Sequence, residues 1–346
     1  MKIAVVRNRK NENVLCNFGR PCPETYGRKS VQRVMDALRA EGHQVKVVEG
    51  DGSLIRTLGK FMPADDEGRP TGIVFNMSYG IQGDCRYTHT PSILEMAGIP
   101  YTGSSPFGHT LCLDKVVTKI LMQNAGIPTP AWRVMDRPSR EPGGLDFPLI
   151  VKPRHESTSY GLEIVHDGDA LYDAVEAVIE NFHQGALVEQ YIPGQEVNVS
   201  LLGNEPPAVL PIVELDFGRR ETRMETWDDK YHKTHDEPEK RCPASLDPRL
   251  REELGDIAIR TFAAAHCRDY ARIDVRIDPA GRPFVLEINS MASLGIGGSY
   301  VMAAARAGLG FQSLIGRIVD VTHRRYFGTP APRDTLPAES YVDAAA

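Results

Sequence analysis

The sequence predicts an α/β protein whose N-terminal part is a parallel sheet with crossover helices. In the first third of the chain, short apolar runs typical of buried strands alternate with helical segments. The three runs are Lys2–Val6, Gln44–Val48 and Gly72–Asn76. Because strands separated by helices usually pair in parallel, this order favours a Rossmann-like sheet. The 346 residues exceed one such unit, since a domain holds about 150 residues. Two or three domains are therefore expected.

Amphipathic helices are indicated both between these strands and later in the chain. The segment Asp169–Phe182 carries one apolar stripe and predicts a helix. Another helix should begin after Asp247, since Asp is a favoured N-cap and Pro248 suits the first helical position. Two earlier helices should stop near Gly42 and Gly98. Their apolar residues recur at helical spacing and are Val31, Val34, Met35 and Leu38 in one, and Ile93, Leu94, Met96 and Ala97 in the other.

Composition excludes several classes of protein. The net charge of −6 favours solubility and argues mildly against a nucleic-acid surface. Apolar runs stay well below the ~18 residues of a membrane span, and Met1–Val6 is shorter than the ~7–15 residues of a secretory core. Six cysteines occur without a Cys-x-x-Cys pair, so reduced thiols are expected and a zinc site is not. We expect a cytoplasmic protein with no nucleic-acid or membrane partner.

A β-hairpin is predicted over residues 272–289. Polar and apolar residues alternate through Arg272–Asp278, as in a half-buried strand. The segment Pro279–Arg282 is a turn, and Phe284–Asn289 is a second strand. Pairing of Asp278 with Pro283 would close the hairpin with a four-residue loop.

That register brings two carboxylates, a carboxamide and an arginine to one sheet face. It sets Asp274 opposite Glu287 and Arg272 opposite Asn289. Two adjacent carboxylates repel each other, and a divalent cation removes that cost. Because Mg²⁺ prefers oxygen ligands, we predict a metal site formed by Asp274, Glu287 and Asn289. An ordinary polar face with cross-strand Asp–Arg pairs is the alternative.

Two further segments suit a nucleotide. A strand ending in Lys152 precedes the hydroxyl-rich segment Glu156–Gly161, which could wrap phosphate oxygens. The segment Leu187–Glu196 then places a connector between two strands, where backbone groups could meet a base and Glu196 a ribose. No Gly-x-x-x-x-Gly-Lys-Ser/Thr occurs, and no Gly-x-Gly-x-x-Gly follows the first strand. P-loop and dinucleotide sites are therefore disfavoured.

Two segments lack apolar periodicity. The charged stretch Phe217–Arg241 is long for a simple connection, which indicates either a functional loop or disorder. The tail from Thr329 to Ala346 is rich in Pro, Ala and acid and is expected to be disordered.

Taken together, these motifs resemble the ATP-grasp carboxylate–amine ligases and, among them, the D-alanine–D-alanine ligase family. The resemblance runs from Lys2 to about Gly328. The matching segments are Gly98–Ser104, Asp114-Lys115 with Lys119, Lys152-Pro153 with Glu156–Gly161, Glu189–Glu196, Lys230-Tyr231, Cys242–Ala244, Arg272–Asp274 and Glu287–Asn289. The resemblance implies an ATP-grasp fold of the α/β (α+β) class. It also implies an N-terminal Rossmann-like preATP-grasp domain over 1–105, a central lid domain over 106–195 and a catalytic domain over 196–328.

The resemblance further implies a mechanism and its residues. ATP would phosphorylate a substrate carboxylate, and the amine of a second amino acid would attack the acyl phosphate. Arg272 and the backbone near Ser293 would stabilise the oxyanion, and Tyr231 with Thr158 would orient a lid formed by the charged loop. Two Mg²⁺ ions, for which Mn²⁺ can substitute, would bind Asp274, Glu287 and Asn289. The residues implied for ATP are Lys115, Lys152, Ser159, Glu189, Ile192, Glu196 and Lys230.

Departures from the family pattern concentrate where substrates should bind. Glu24 matches the acid for the first ammonium only with a one-residue shift, and Tyr79-Gly80 replaces a His-Gly pair. Arg86 could hold a substrate carboxylate or form a surface salt bridge, and Ser299 could meet the second carboxylate. Ser157 replaces a glycine, and the segment 291–299 differs from the family's Pro-Gly-Met-Thr.

The expected function is therefore ATP-dependent ligation of two amino acids by a homodimer, with D-alanine–D-alanine ligation the leading choice. A related ligase of specialised metabolism acting on other amino acids or peptides is the first alternative. Others are a nucleotide-binding protein without ligase activity and a kinase-like enzyme.

Overall fold

The computed structural model describes residues 1–9, 14, 19–220, 223–225, 227, 229, 238–329 and 331. Strands and helices alternate along most of the chain. The strands are β1 Lys2–Arg7, β2 Gln44–Glu49, β3 Gly72–Met77, β4 Trp132–Met135, β5 Leu149–Pro153, β6 Glu163–Val165, β7 Ala186–Gln190, β8 Gln195–Leu202, β9 Ala208–Val209, β10 Val213–Asp216, β11 Glu239–Arg241, β12 Tyr270–Ile277 and β13 Pro283–Asn289. The helices are α1 Arg28–Ala40, α2 Leu54–Phe61, α3 His89–Met96, α4 Pro106–Leu113, α5 Lys115–Asn124, α6 Gly168–Phe182, α7 Pro248–Ala264, α8 Ser299–Arg306 and α9 Phe311–Phe327.

The N-terminal sheet is parallel, as the strand–helix order predicted. Its order is β2-β1-β3, and every strand residue of β1 is paired on both sides. The stripe of α1 is buried through residues such as Val34 and Leu38. Helix α9 joins the same core through Leu314, Ile315 and Ile318. A helix more than 270 residues further along the chain therefore completes the N-terminal unit.

The second sheet is antiparallel, with the order β4-β7-β5-β6. Helix α6 covers it and buries Leu171, Val175 and Val178 against the strands. Asp167 caps this helix by accepting from the backbone N–H of Ala170 at 2.9 Å. Its two central strands, β5 and β7, carry Lys152 and Glu189, which line the cleft described below.

The third sheet is also antiparallel and has the order β11-β10-β8-β12-β13, with β9 paired to β8. Helix α7 packs on one face through Leu254, Ile257 and Phe262. Its predicted start is confirmed, because the Asp247 carboxylate accepts from the N–H of Arg249 at 2.9 Å and Pro248 is the first helical residue. The opposite face of the sheet carries the polar residues described below.

The predicted hairpin is confirmed at its polar end and wrong at its turn. Asp274 lies opposite Glu287 and Arg272 opposite Asn289, as expected. Near the turn, however, Ile277 rather than Asp278 pairs with Pro283. A β-bulge between these two stretches adds one residue, Leu286, to β13 and restores the predicted register beyond it.

Each of the three predicted domain ranges contains one sheet, while the boundaries at 105/106 and 195/196 stay predictions. Within the described residues, no helix is both long and apolar enough to cross a membrane. The predicted disordered tail lies outside the described residues apart from Thr329 and Ala331.

Candidate active site

A cleft separates the two antiparallel sheets. Its walls come from β5, from the connector between β7 and β8, and from the polar face of β12 and β13. Nine of the residues predicted for ATP, metal or oxyanion binding line it. They are Lys115, Lys152, Ser159, Glu189, Ile192, Glu196, Arg272, Asp274 and Glu287.

The predicted metal ligands form one hydrogen-bonded group. The Nδ2 of Asn289 donates to Oδ2 of Asp274 at 3.0 Å and to Oε1 of Glu287 at 3.3 Å. From the neighbouring strand β8, Nδ2 of Asn198 donates to Oδ1 of Asp274 at 2.9 Å. The three ligand candidates therefore meet at one point, and Asn198 orients the central carboxylate.

Two cations balance this acidic group. The guanidinium of Arg272 forms a two-pronged pair with Asp274, at 2.6 and 2.7 Å. Burial opposes the charge on Arg272, but the Asp274 carboxylate outweighs burial, so the pKa of Arg272 is raised. Across the cleft, Nζ of Lys115 lies 3.9 Å from Oε2 of Glu287. The carboxylates of Asp274 and Glu287 therefore each lie beside a positive charge.

A second buried charge cluster lies on the central sheet. Oε1 of Glu189 contacts Nζ of Lys152 at 2.8 Å and Nζ of Lys119 at 3.3 Å. Lys119 is fully buried, and burial lowers its pKa to about 8 despite the attraction of Glu189. Burial alone would raise the pKa of Glu189, but the two lysines lower it. Glu189 is therefore an ionised carboxylate held between two lysines.

The hydroxyl-rich loop is anchored at its first residues. Asp114 caps α5, accepting from the N–H groups of Val116 and Val117, and also binds Arg154 through two contacts of 2.6 Å. Hydrogen bonds from His155 and Arg154 outweigh burial and lower the pKa of Asp114. The ammonium of Lys115 donates to the carbonyl of Glu156. This arrangement fixes the loop beside both cleft lysines.

The middle of that loop adopts a conformation that side chains seldom take. Thr158 and Ser159 have φ values of 58° and 59°, in the left-handed region. Strain of this kind persists where surrounding contacts enforce it. One such contact joins the loop to the charged stretch 217–241, because Oγ of Ser159 donates to the carbonyl of Glu225 at 2.8 Å. The described part of that stretch therefore lies against the cleft, at Met224 and Glu225.

The residues predicted for amino-acid substrates form a separate group between the N-terminal sheet and the segment after β13. Glu24 is buried and accepts from the hydroxyl of Tyr87. Tyr79 stacks on Tyr26 with ring centroids 5.2 Å apart. The hydroxyl of Tyr26 accepts from the N–H of Leu294 at 3.2 Å, next to Ser293. An aromatic wall therefore surrounds a buried carboxylate.

Arg86 connects this group to the cleft. It is 3% exposed, and it donates to Oε2 of Glu156 at 3.2 Å and to the carbonyl of His155 at 3.0 Å. The sequence left open a salt bridge for Arg86, and the structure contains one. The bridge is buried, whereas a surface bridge was the expected form. Its role in substrate binding stays a prediction.

Two other predicted residues, Ser299 and Ser293, do not line the cleft. Ser299 is buried and begins α8 after Gly298. Ser293 accepts from the N–H of Gly295 at 3.2 Å. Lys230 and Tyr231, predicted for phosphate and lid, lie outside the described residues.

Sequence reasoning missed two polar residues of the cleft, Asn198 and Arg276. Arg276 lies two residues beyond Asp274, so the same strand alternation that placed Arg272 and Asp274 on the cleft face could have found it. Asn198 gives no comparable signal, because its importance depends on the pairing of β8 with β12.

Comparison with known proteins agrees with this fold, which is that of an ATP-grasp protein. A family model described as D-ala D-ala ligase C-terminus matches residues 121–320. An uncharacterised protein of Sinorhizobium fredii, y4sG, is 48% identical over 332 residues, covering 95% of this chain and 98% of the relative. A D-alanine–D-alanine ligase of Alcanivorax borkumensis is 37% identical over 227 residues, covering 66% and 70%.

Among solved structures, D-alanine–D-alanine ligase from Bacillus anthracis complexed with ATP has the same fold. Its TM-score is 0.72 at 21% identity, covering 94% of this chain and 97% of that one. The chain belongs to the D-alanine–D-alanine ligase family, a family of ATP-dependent ligases.

Proposed function

We propose that this ligase uses ATP and Mg²⁺ to join two amino acids through an acyl phosphate, with D-alanine the leading candidate for both. The observation that carries the proposal is the convergence of Asp274, Glu287 and Asn289 on one hairpin face. Arg272 lies beside them, and Lys115 and Lys152 line the same cleft. Ligation needs this combination, because both a polyphosphate and a developing oxyanion must be stabilised.

The donor set fits a magnesium ion. Asp274, Glu287 and Asn289 offer only oxygen ligands, which hard cations prefer. The two carboxylates already converge on one point, and the Asn289 amide, whose Nδ2 now faces them, would turn over to present its Oδ1 to a shared ion. When bound, Mg²⁺ would neutralise charge on the phosphates during phosphoryl transfer.

The chain's own residues would hold the nucleotide along the cleft. Lys115 and Lys152 would bind phosphate oxygens, and the backbone N–H of Ser159 would donate from the loop beside them. Glu189 would meet the base edge next to Ile192. Glu196 would accept from the ribose hydroxyls. Lys230 completes the predicted phosphate contacts from the charged stretch.

After phosphoryl transfer, the amine of the second amino acid attacks the acyl phosphate and forms a tetrahedral oxyanion. Arg272 and the backbone N–H near Ser293 would stabilise this charge before phosphate leaves. The stretch 217–241, with Tyr231 and Thr158, would close over the intermediate, because water would otherwise hydrolyse it. The contact between Ser159 and Glu225 supports such a closure.

The amino acids would bind between the N-terminal unit and the segment 291–299. Glu24 is a buried carboxylate beside Tyr87, and it suits an ammonium group. The buried Nε–H of Arg86 has no acceptor among the described residues. Arg86 could therefore bind a substrate carboxylate while it keeps its pair with Glu156. Ser299 would meet the second carboxylate.

A ligase of the same class with other amino-acid or peptide substrates is the second candidate. It is favoured by the aromatic wall of Tyr26, Tyr79 and Tyr87, where the sequence departs from the family pattern. The cytoplasm is the proposed compartment, since the cysteines described are free thiols. A homodimer stays a prediction.

The test is phosphate release from ATP with a panel of D- and L-amino acids, alone and in pairs. Release only in the presence of amino acids, together with a dipeptide detected by mass spectrometry, supports ligation. Stimulation by D-alanine selects the leading substrate, and stimulation only by other amino acids selects the second candidate. Absence of amino-acid-dependent release with every pair would refute the ligase proposal.

A further inference from the structure

The floor of the cleft holds a buried cation that the mechanism above does not use. Arg276 is 4% exposed and lines the cleft from β12. It lies directly opposite Glu196 in the pairing of β12 with β8. Its Nη1 donates to Oε2 of Glu196 at 3.1 Å. A guanidinium is thus built into the sheet beside the carboxylate assigned to the ribose.

The other contacts of Arg276 hold the backbone around that carboxylate. Nη2 donates to the carbonyl of Gly194 at 3.2 Å and to the hydroxyl of Tyr191 at 3.4 Å. The guanidinium also lies 5.0 Å from the centre of the Tyr191 ring. Since Tyr191 and Gly194 belong to the connector 191–195, Arg276 binds both the connector and the acid that follows it.

A fourth contact reaches the charged stretch. Nη1 of Arg276 donates to the carbonyl of Arg223 at 2.6 Å, immediately before Met224 and Glu225, which line the cleft. One side chain therefore joins three parts of the ribose end, namely the connector, Glu196 and the stretch above them. A planar fork of five donors can do this, whereas a lysine ammonium cannot.

We infer that Arg276 is a positioning residue for ribose recognition, which acts by fixing the Glu196 carboxylate so that it accepts from the ribose hydroxyls. The inference rests on the proposed function in one respect, that a ribonucleotide occupies the cleft. It adds a consequence: selection for ribose over deoxyribose depends on a residue that itself makes no contact with the sugar. The Arg276–Glu196 pair also balances two buried charges against each other before the nucleotide enters.

The experiment compares ATP with 2′-deoxyATP and 3′-deoxyATP in the wild type, Arg276→Met, Arg276→Lys and Glu196→Gln. A carboxylate that accepts from a hydroxyl should give the wild type about 10–100-fold preference for ATP in kcat/KM. Arg276→Met should reduce that preference to about threefold or less, mainly through KM for ATP, with kcat changed little. The preference of Arg276→Lys should lie between those of the wild type and Arg276→Met, because lysine keeps the positive charge but loses the planar fork of donors.

A double variant separates positioning from a general loss of structure. If Arg276 acts through Glu196, combining Arg276→Met with Glu196→Gln should cost no more than the worse single change. Arg282→Met is the matched control, because Arg282 pairs with Asp278 on the same hairpin and its side chain is 73% exposed. This control should keep the wild-type preference. Thermal melting should show that every variant is folded at the assay temperature.

Three results would overturn the inference. They are a wild type that does not distinguish the nucleotides, an Arg276→Met variant that keeps the preference, and additive losses in the double variant. Calorimetric binding of ADP and 2′-deoxyADP repeats the comparison without turnover. If the wild type binds ADP selectively but forms no amide bond, the ligase proposal fails while this inference stands.

Discussion

The two ends of the active site are built differently. At the nucleotide end, Asp274, Glu287, Glu189 and Lys152 project from paired strands, so backbone hydrogen bonds fix their positions. At the amino-acid end, Glu24 and its neighbours come from loops of separate units and meet through aromatic and interdomain contacts. The comparison teaches that the fold fixes the phosphate chemistry, whereas loop residues select the substrates.

The charges at the two ends follow the same division. Every carboxylate named at the nucleotide end contacts a cation, as Asp274 does Arg272 and Glu189 does Lys152. At the other end, Glu24 accepts from a neutral tyrosine hydroxyl. A buried carboxylate whose hydrogen bond comes from a neutral group suits a cationic ligand, because such a ligand adds to the attraction of the nearby Arg86. The four predictions below test this division.

The largest effect is expected at the metal set. Asp274→Asn or Glu287→Gln should reduce turnover by on the order of a thousandfold, because the ion contributes several kilocalories per mole to charge stabilisation. Steady-state phosphate release over a range of Mg²⁺ concentrations measures the loss. Asp278→Asn, at the turn of the same hairpin, is the control and should keep the activity. Normal turnover in either first variant would refute the metal assignment.

The next largest effect is expected at His109, which lies between the nucleotide end and the amino-acid end of the site. Its Nδ1 lies 2.8 Å from Oγ of Ser290, and its ring meets the edge of Tyr87. Burial lowers its pKa from 6.5 to about 4, so the folded protein keeps the imidazole neutral. Between those pH values the unfolded chain takes up a proton that the folded chain does not, and the free energy of unfolding falls as the pH falls.

That contribution reaches about 3 kcal/mol, which is fully present above pH 6.5 and lost towards pH 4. The stability advantage of the wild type over His109→Gln should therefore shrink as the pH decreases. Urea unfolding of both proteins at pH 7.5 and pH 5 measures it. A difference that does not change with pH would contradict the assignment, and other titrating groups cancel in the comparison.

Glu24 should have an effect confined to the amino acids. Glu24→Gln should raise KM for the first amino acid about 10–100-fold, because it removes a charged hydrogen-bond acceptor, and should leave KM for ATP unchanged. Initial rates with each substrate varied in turn separate the two constants. The exposed Glu67→Gln on the same unit is the control. An equal rise in both constants would show that the two ends are not independent.

The smallest effect is expected at Ser159. Ser159→Ala removes the hydrogen bond to the Glu225 carbonyl, worth about 1 kcal/mol, so KM for ATP should rise about fivefold. Initial-rate kinetics at saturating amino acid check this value. Ser139→Ala, on an exposed turn of the central unit, should behave as the wild type. An unchanged KM in Ser159→Ala would mean that the contact does not support nucleotide binding.

Much of the fold could be predicted, because it depends on local patterns. Helix caps such as Asp247 follow from the local sequence alone. The bulge at Leu286 could not be predicted, since an extra residue in one strand leaves both strands with ordinary composition. The prediction at the polar end held because the bulge compensates for the different pairing at the turn.

Long-range contacts account for what the sequence did not reveal about the site. The partner of Arg86 is Glu156, 70 residues away, and that of Arg276 is Glu196, 80 residues away. Neither pair has a sequence spacing that would indicate contact. Glu24 was named from its motif despite a one-residue shift; it is buried, and its role in substrate binding stays a prediction.

The packing of α9 against α1 has a consequence for how the chain is made. The apolar residues of α1 and β1 share one core with Leu314 and Ile318. A ribosome adds roughly 5–20 residues per second. Because about 270 residues lie between α1 and α9, α9 is made tens of seconds after α1. During that interval the part of this core that α9 will cover stays exposed. The newly made N-terminal unit is therefore a natural client for chaperones that shield exposed hydrophobic segments.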